Sequence, residues 1–255
     1  MASLTQRFGC CMLVMGCSSY AAAFEFDRPG EGMGTATTPV GQVAWEQGLP
    51  TVNYTEETVA GLKVKTTTLN AEALLRTGLT DSLEVQLGWD GPTWTEQRVA
   101  GQSTQDNGLG DVSLGLKKSI ALPNEDLSMA LLAQVNFATG KGSVSQDNDS
   151  YLVASALSYQ IEPGIQTGIH MQYEWQDGDW AIVAIPNLSY DLSDRWTGFS
   201  EWIYRKAEGQ AYESRLNSGV IYAWSERLQL DASLAVNIDG GAKQYTTGLG
   251  LSVLF

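Results

Sequence analysis

Cations, thiols, imidazoles and long apolar runs are all scarce in this chain, and each scarcity excludes something. Fifteen Lys and Arg stand against 29 Asp and Glu, a formal charge of −14. That balance argues against a nucleic-acid partner, since binding there depends on basic side chains neutralising phosphates. The three cysteines, Cys10, Cys11 and Cys17, all lie near the N-terminus, so the rest of the chain has no disulfide framework and no thiolate chemistry. His170 is the single histidine. No stretch reaches the eighteen or so consecutive apolar residues of a spanning helix. A chain that crosses a membrane without one must do so as a closed barrel, because only helices and closed barrels satisfy their own backbone hydrogen bonds in lipid. Seven prolines against 27 glycines, with only 17% charged residues, suit many short strands joined by tight turns.

The N-terminus carries a processing signal. Arg7 precedes an apolar stretch from Phe8 to Cys17, followed by Ser18-Ser19-Tyr20-Ala21-Ala22-Ala23 and the polar Glu25 and Asp27. A charged start, a short apolar core and an A-x-A exit make a secretory signal peptide over residues 1–23, cleaved after Ala23. Val14-Met15-Gly16-Cys17 leaves lipoprotein processing at Cys17 as the competing reading.

Beyond residue 37 the dominant signal is alternation with a period of two. Leu228, Leu230, Ala232, Leu234, Val236 and Ile238 alternate with Gln229, Asp231, Ser233, Ala235 and Asn237. Ile165, Thr167, Ile169, Met171, Tyr173 and Trp175 alternate with Gln166, Gly168, His170, Gln172, Glu174 and Gln176. Such segments predict about twelve strands, at 38–46, 64–77, 82–91, 108–120, 127–139, 150–161, 165–176, 179–190, 195–206, 211–224, 228–238 and 243–255. Every second connection is short, such as Glu162-Pro163-Gly164 and Ser225-Glu226-Arg227. The alternate set holds longer loops at 47–63, 92–107 and 140–149, and tight turns at Asp177-Gly178, Glu208-Gly209 and Asp239-Gly240-Gly241. This predicts an all-β fold: a single antiparallel transmembrane β-barrel, an up-and-down meander over 38–255, with short turns and both termini on the periplasmic side.

The aromatic residues fall at strand ends, as interfacial girdles require. Trp45, Trp89, Trp175, Trp180 and Trp202 belong to the loop side, and Trp196, Trp224 and Phe255 to the turn side. Trp175 and Trp180 flank a two-residue turn and should face each other outward. A soluble barrel or sandwich burying the same apolar face is the alternative.

If the apolar face meets lipid, the interior carries Glu72, Arg76, Glu84, Lys117, His170, Glu174, Glu201, Arg205, Glu213, Arg215 and Asp231. Charges there require a wet lumen or pairing. Arg76 and Glu84 should pair across their turn, and Arg205 with Glu213, with Glu201 and Arg215 on the diagonal. Such residues either brace and close the lumen or form a polar constriction that selects a solute. His170 points inward, away from lipid substrates, so it reads as lining and not as part of a Ser–His catalytic pair. Asp147-Asn148-Asp149 and Asp106-Asn107 lack the spacing of a calcium loop, so no metal or other cofactor is expected.

One ordered set of stretches resembles a known family. It comprises Asp27-Arg28-Pro29-Gly30, Pro39-x-Gly41 with Glu46-x-Gly48, and Arg76-x-Gly78-Leu79-Thr80-Asp81-x-Leu83-Glu84 closing on Gly88-Trp89. Then come Gly108-x-Gly110-Asp111-x-x-x-Gly115-x-Lys117, Leu188-x-Tyr190-Asp191-Leu192-Ser193-Asp194-Arg195 with Glu201, Asn217-x-Gly219-x-x-Tyr222, Gln229-Leu230-Asp231 and Phe255. These resemble the bacterial outer-membrane proteins labelled "putative MetA-pathway of phenol degradation". The resemblance implies a barrel with a transport role. Gly250, Val253 and Phe255 also resemble a C-terminal signal for the barrel-assembly machinery, although Gly248 replaces an expected polar residue.

The sequence therefore predicts an outer-membrane barrel passing a small solute, hydrophobic or aromatic compounds among the candidates, with segment 24–37 tucked into the periplasmic mouth. Membrane lipids and the assembly machinery are its expected partners. The alternatives are a non-conducting structural or adhesive barrel plugged by its own side chains and, third, a lipid-modifying enzyme.

Overall fold

The computed structural model describes residues 24–141, 144–239 and 242–255. The signal peptide over 1–23, with the Cys17 alternative, and Gly240-Gly241 of one expected turn lie outside the described residues.

Among the described residues fifteen strands form one antiparallel sheet. They are β1 (Val43–Val59), β2 (Leu62–Asn70), β3 (Ala73–Thr80), β4 (Leu83–Trp89), β5 (Pro92–Val99), β6 (Gln102–Leu109), β7 (Val112–Ile120) and β8 (Leu127–Phe137). Then follow β9 (Ser150–Glu162), β10 (Ile165–Gln176), β11 (Asp179–Ser193), β12 (Trp196–Ala207), β13 (Tyr212–Ser225), β14 (Leu228–Asn237) and β15 (Lys243–Leu254). Three pairs, β2–β3, β4–β5 and β6–β7, are the two halves of single staves, so the fifteen strands make twelve staves. Pairing of β1 with β15, from Ala44↔Leu254 to Glu56↔Lys243, closes the barrel.

The outer face is apolar and exposed. Leu75, Leu87, Leu114, Leu157, Ile169, Leu188, Leu216 and Leu234 all stand on it uncovered. Inside, most buried side chains are small, such as Ala130, Ala154, Ala156 and Ala235, or polar, such as Glu46, Arg76, Glu84 and Lys117, with one apolar cluster of Val183, Ile185 and Ile203 on β11 and β12. A water-soluble protein shows the reverse arrangement, so this exterior is the lipid-facing surface of an outer-membrane barrel. Trp175 and Trp180 are cross-strand partners, both outward-facing. At the turn side Trp196 lies 4.8 Å from the Tyr222 ring.

Two expected long loops are strands. Residues 47–63 and 92–107 continue the barrel wall as the β1–β2 and β5–β6 hairpins, tipped by Ala60-Gly61 and Ala100-Gly101. Both tip residues have positive φ in each hairpin, 50° and 81° in the first and 48° and 85° in the second, the geometry of tight two-residue turns. Above their lowest outward rung of Val52, Leu69 and Trp94 these extensions carry mostly polar residues on both faces, because they rise beyond the acyl chains, so they lack the contrast that marks a spanning strand. A line of irregularities separates them from the spanning wall: the β1 bulge between Gly48 and Thr51, and breaks at 71–72, 90–91 and 110–111. Backbone hydrogen bonds such as Gly48 N–H to Glu72 O and Asp90 N–H to Asp111 O carry the ladder across it. The first strand also starts at Val43, not 38. Trp45, opposite Val253 near the C-terminus, therefore belongs to the turn-side girdle and not to the loop side.

Candidate lumen and its internal plug

Residues 24–38 lie inside the barrel and not merely at its mouth, and the exposed Pro39 to Gly41 lead out ahead of the first strand. At the foot, Phe26 packs with Ala44 and Leu254, and Phe24 meets Phe26 edge to face at 4.9 Å. The segment climbs through Asp27 and Arg28 to an apex at Gly30–Gly32. It then descends past Thr35, whose hydroxyl is 2.8 Å from Ser128 Oγ, to Thr38, whose hydroxyl donates to Glu84 Oε2 at 2.9 Å. It leaves along β3, where Val40 bridges Gly78, and turns into β1 with Gln42 N–H donating to Pro39 O. Two glycines permit close packing. A Cβ on Gly30 would meet Glu201 Oε1 at 2.6 Å, and one on Gly78 would meet the Thr38 carbonyl oxygen at 2.1 Å.

A dense charge network joins plug to wall. Alternation on β1, β3, β4 and β7 brings Glu46, Arg76, Glu84 and Lys117 inward, all 1% exposed or less. Arg76 Nε donates to Glu84 Oε1 at 3.0 Å, and its Nη1 to Glu46 Oε1 at 3.0 Å, with Asp27 Oδ1 at 3.4 Å. The same guanidinium donates to the carbonyl oxygens of Glu25 and Ala36 on the plug. Lys117 Nζ reaches Asp27 Oδ1 at 3.1 Å and Glu84 Oε1 at 3.8 Å. Buried charges are tolerable where each has its counter-charge and hydrogen bonds, and here the plug supplies part of both.

The remaining inward residues are brought to the plug one by one. Arg28 Nη1 contacts Glu72 Oε1 at 2.6 Å and its Nη2 contacts Asp231 Oδ1 at 3.3 Å. Glu201 accepts from the Glu31 and Gly32 N–H groups at 2.9 and 3.2 Å, and from Asn217 Nδ2 at 2.9 Å. Arg215 turns to Glu31 at 2.8 Å. His170 Nδ1 accepts from Met33 N–H at 3.4 Å, and its Nε2 faces Gln172 Oε1 at 3.3 Å. Among the described residues its ring thus meets a backbone amide at Nδ1 and a carboxamide at Nε2.

Some expected pairings differ. Arg76 and Glu84 do pair, on the diagonal of Gly78↔Glu84. Arg205 and Glu213 are direct cross-strand neighbours, but Arg205 instead pairs with Glu174 at 3.3 Å on the other side. Glu213 is exposed at the loop-side rim, where water solvates it and pairing gains little. Glu201 and Arg215 are taken by the plug rather than by Arg205 and Glu213. Sequence reasoning missed Glu46, Gln86 and the plug residues Asp27, Arg28, Glu31 and Thr38 as lumen groups. Glu46 was recoverable, since it shares a parity with buried Ala44.

Above the plug the lumen opens outward as a vestibule of about 1060 Å³. Its floor is Asp27, Arg28 and Gly30 to Met33, its walls include Gln134, Asn136, Gln172 and Glu174, and its rim carries Asp147, Asp177, Asp179 and Glu208. Among the described residues ten carboxylates line it against two arginines and no lysine. A smaller space of about 230 Å³ lies beside the apex, between Arg28–Glu31 and Thr51, Asn70, Ser233 and Thr246. One rim loop is anchored by Asp111, whose carboxylate accepts from Gly140 N–H at 2.7 Å and from Ser145 Oγ and Gln146 N–H at 2.8 Å.

The family described as "Putative MetA-pathway of phenol degradation" matches residues 26–255. No curated protein matches the sequence. Among solved structures, the COG4313 outer membrane channel from Pseudomonas putida F1 aligns with a TM-score of 0.63 at 13% identity, covering 91% of this chain and all of that one. The KdgM porin in complex with disordered oligogalacturonate aligns with a TM-score of 0.54 at 11% identity over 80% of this chain and 98% of its own. The NanC porin aligns at 0.54 and 11% over 82% and 98%. At such identities the likeness is one of fold.

Proposed function

The chain belongs to this outer-membrane family, and from that premise we propose that it passes a small solute across the outer membrane without catalysing a reaction. The observation that carries this is the vestibule. A packed structural barrel needs no 1060 Å³ polar space open to the outside, yet this one keeps such a space above a floor made by its own N-terminal segment. The acidic lining supports a neutral or cationic solute with hydrogen-bonding groups, because a mouth of one sign concentrates counter-charge and repels anions. Neutral hydroxylated aromatic compounds fall in that class, as do sugars. Passage requires the plug to yield, since its residues Arg28 to Met33 touch Glu201, His170 and Asp231 on three staves.

The same plug favours one other reading, a barrel held shut as a structural element. Planar-bilayer recording and liposome swelling on refolded protein, with and without residues 24–37, separate the two. A channel conducts when intact and conducts more when the segment is removed, with a reversal potential of cationic sign. Silence in both forms refutes passage. His170 lines the floor in this reading, and Glu46, Arg76, Glu84 and Lys117 anchor the plug. The terminal Phe255, exposed beyond β15, supports recognition by the assembly machinery.

A further inference from the structure

We infer that the outer face of the β1–β2–β5 extension, with the end of β15, binds the phosphate of a phosphorylated glycolipid in the outer leaflet. The inference rests on the outward face meeting lipid and on the register of four strands.

That register stacks outward side chains into three rungs. The lowest joins Thr247 to Val52, Val52 to Leu69 and Leu69 to Trp94. The next joins Tyr245 to Tyr54, whose rings lie 6.3 Å apart, then Thr67 and Glu96. The third joins Lys243 to Glu56, Glu56 to Lys65 and Lys65 to Arg98. Successive rungs are about 6.6 Å apart along the strands. The face thus runs from apolar through aromatic to basic over a distance matching the passage from acyl chains to headgroups. Aromatic rings mark the interface, so the basic rung stands at or just above the depth of lipid phosphates.

The clustering is pointed in so acidic a chain. Lys63, Lys65, Arg98 and Lys243, four of its fifteen basic residues, share this one face. Their side chains are 71%, 48%, 64% and 68% exposed. Glu56 gathers three ammonium groups, at 3.3 Å from Lys63, 3.6 Å from Lys65 and 4.0 Å from Lys243. Glu96 holds Arg98 at 3.0 Å. Two carboxylates against four cations leave the face net positive, with ammonium and guanidinium donors still turned to solvent. Outward on the free edge, Ser103 and Gln105 of β6 continue the two upper rungs with groups that hydrogen-bond sugars. A phosphate-bearing sugar headgroup with acyl chains matches all three levels at once, whereas a free phosphate matches only the top one.

The test titrates folded full-length protein in maltoside detergent with bisphosphorylated lipid A, and with the same lipid after removal of its phosphates, followed by native mass spectrometry. The variants are a combined K65Q/R98Q/K243Q protein and K206Q, a lysine on β12 away from the face. Each cation near an anionic surface contributes roughly fivefold, so the triple variant should bind on the order of 100-fold more weakly. K206Q should bind as the unaltered protein does, and phosphate removal should reduce binding of the unaltered protein to the level of the triple variant. Equal affinity of triple variant and unaltered protein overturns the inference, as does equal affinity for the two lipids or full competition by free inorganic phosphate. Heat-dependent gel mobility confirms that each variant is folded. A chain that fails to fold in detergent at all indicts the barrel reading instead.

Discussion

Arg28→Ala tests how the plug is held, because this side chain belongs to the plug and bridges two staves. It contacts Glu72 at 2.6 Å and Asp231 at 3.3 Å, with 15% of its side chain exposed. Truncation leaves both acids without their cation while the plug stays docked. Glu72 keeps hydrogen bonds from Thr51 Oγ1 and Asn70 Nδ2. Asp231, whose side chain is fully buried, keeps no cation, and its Oδ2 already has no hydrogen-bond partner. Hydrogen bonds to charged groups are worth about 1.5–3 kcal/mol each, less where water replaces the partner, which gives roughly 2–4 kcal/mol for the pair. Undocking lets water reach both acids, so that penalty weighs on the docked state alone. At about 1.4 kcal/mol per tenfold, the ratio of displaced to docked plug rises about 30- to 1000-fold. Single-channel recording reads this as a higher open probability at the conductance of protein lacking residues 24–37. Unchanged open probability in Arg28→Ala, with raised conductance in the truncated protein, refutes Arg28 as an anchor. No change in either refutes the plug as the barrier.

Other expectations follow from the same geometry. Gly78→Ala places a methyl carbon 2.1 Å from the Thr38 carbonyl oxygen, so the plug exit shifts and the altered docking, costing roughly 1–3 kcal/mol, appears as longer open dwell times. Neutralising the rim with D177N, D179N and E208Q should lower the cation-to-anion permeability ratio by roughly two- to fivefold in reversal-potential measurements. An unchanged ratio places selectivity elsewhere. Trp180→Ala removes one member of the Trp175↔Trp180 pair and should lower barrel stability in denaturant titrations by about 0.5–1.5 kcal/mol, leaving conductance unchanged. Deleting Phe255 should slow membrane assembly in cells while leaving detergent refolding intact, since the residue's exposed ring closes no core.

The spanning wall was legible because lipid and lumen impose opposite chemistry on successive residues. In β14, Leu230 and Leu234 face out while Asp231 and Ala235 are buried within, and nothing but a two-residue period accommodates both. The extensions escaped for the same reason. Beyond Val52 both faces of β1 meet water or headgroups, so Tyr54 and Glu56 share one face and the pattern resembles a loop. The tips Ala60-Gly61 and Ala100-Gly101 also lack the Asn or Asp that advertises a tight turn, although Asp177-Gly178 carries it. Inward parity was readable for Arg76, Lys117, Glu201 and Asp231, but their partners were not. Those partners lie largely in Asp27, Arg28 and Glu31, a stretch with no periodicity whose place is set by charge and close packing. Arg205 shows that register alone does not choose a partner. Glu213 stands opposite it, yet the bond goes to the less exposed Glu174 on β10, two strands away across β11.

The placement of the plug also explains why a passage can carry so many charges. Arg76 and Lys117, fully enclosed, face Glu46 and Glu84 on the wall, and without Asp27 the cluster would lose one of the two carboxylates that both cations share, Glu84 being the other. In the proposed channel the plug acts as a movable counter-charge, and its removal would expose the cluster to water instead of leaving it bare in a dry core. Water in a lumen solvates such groups well, which keeps the difference between docked and displaced states small beside the stability of the hydrogen-bonded wall. A barrel closed by eleven rungs between β1 and β15 does not depend on the plug to stay shut, so the two can be tuned separately. On the proposed reading the wall sets whether the protein folds, and the few ion pairs at Asp27, Arg28 and Glu31 set how often it opens.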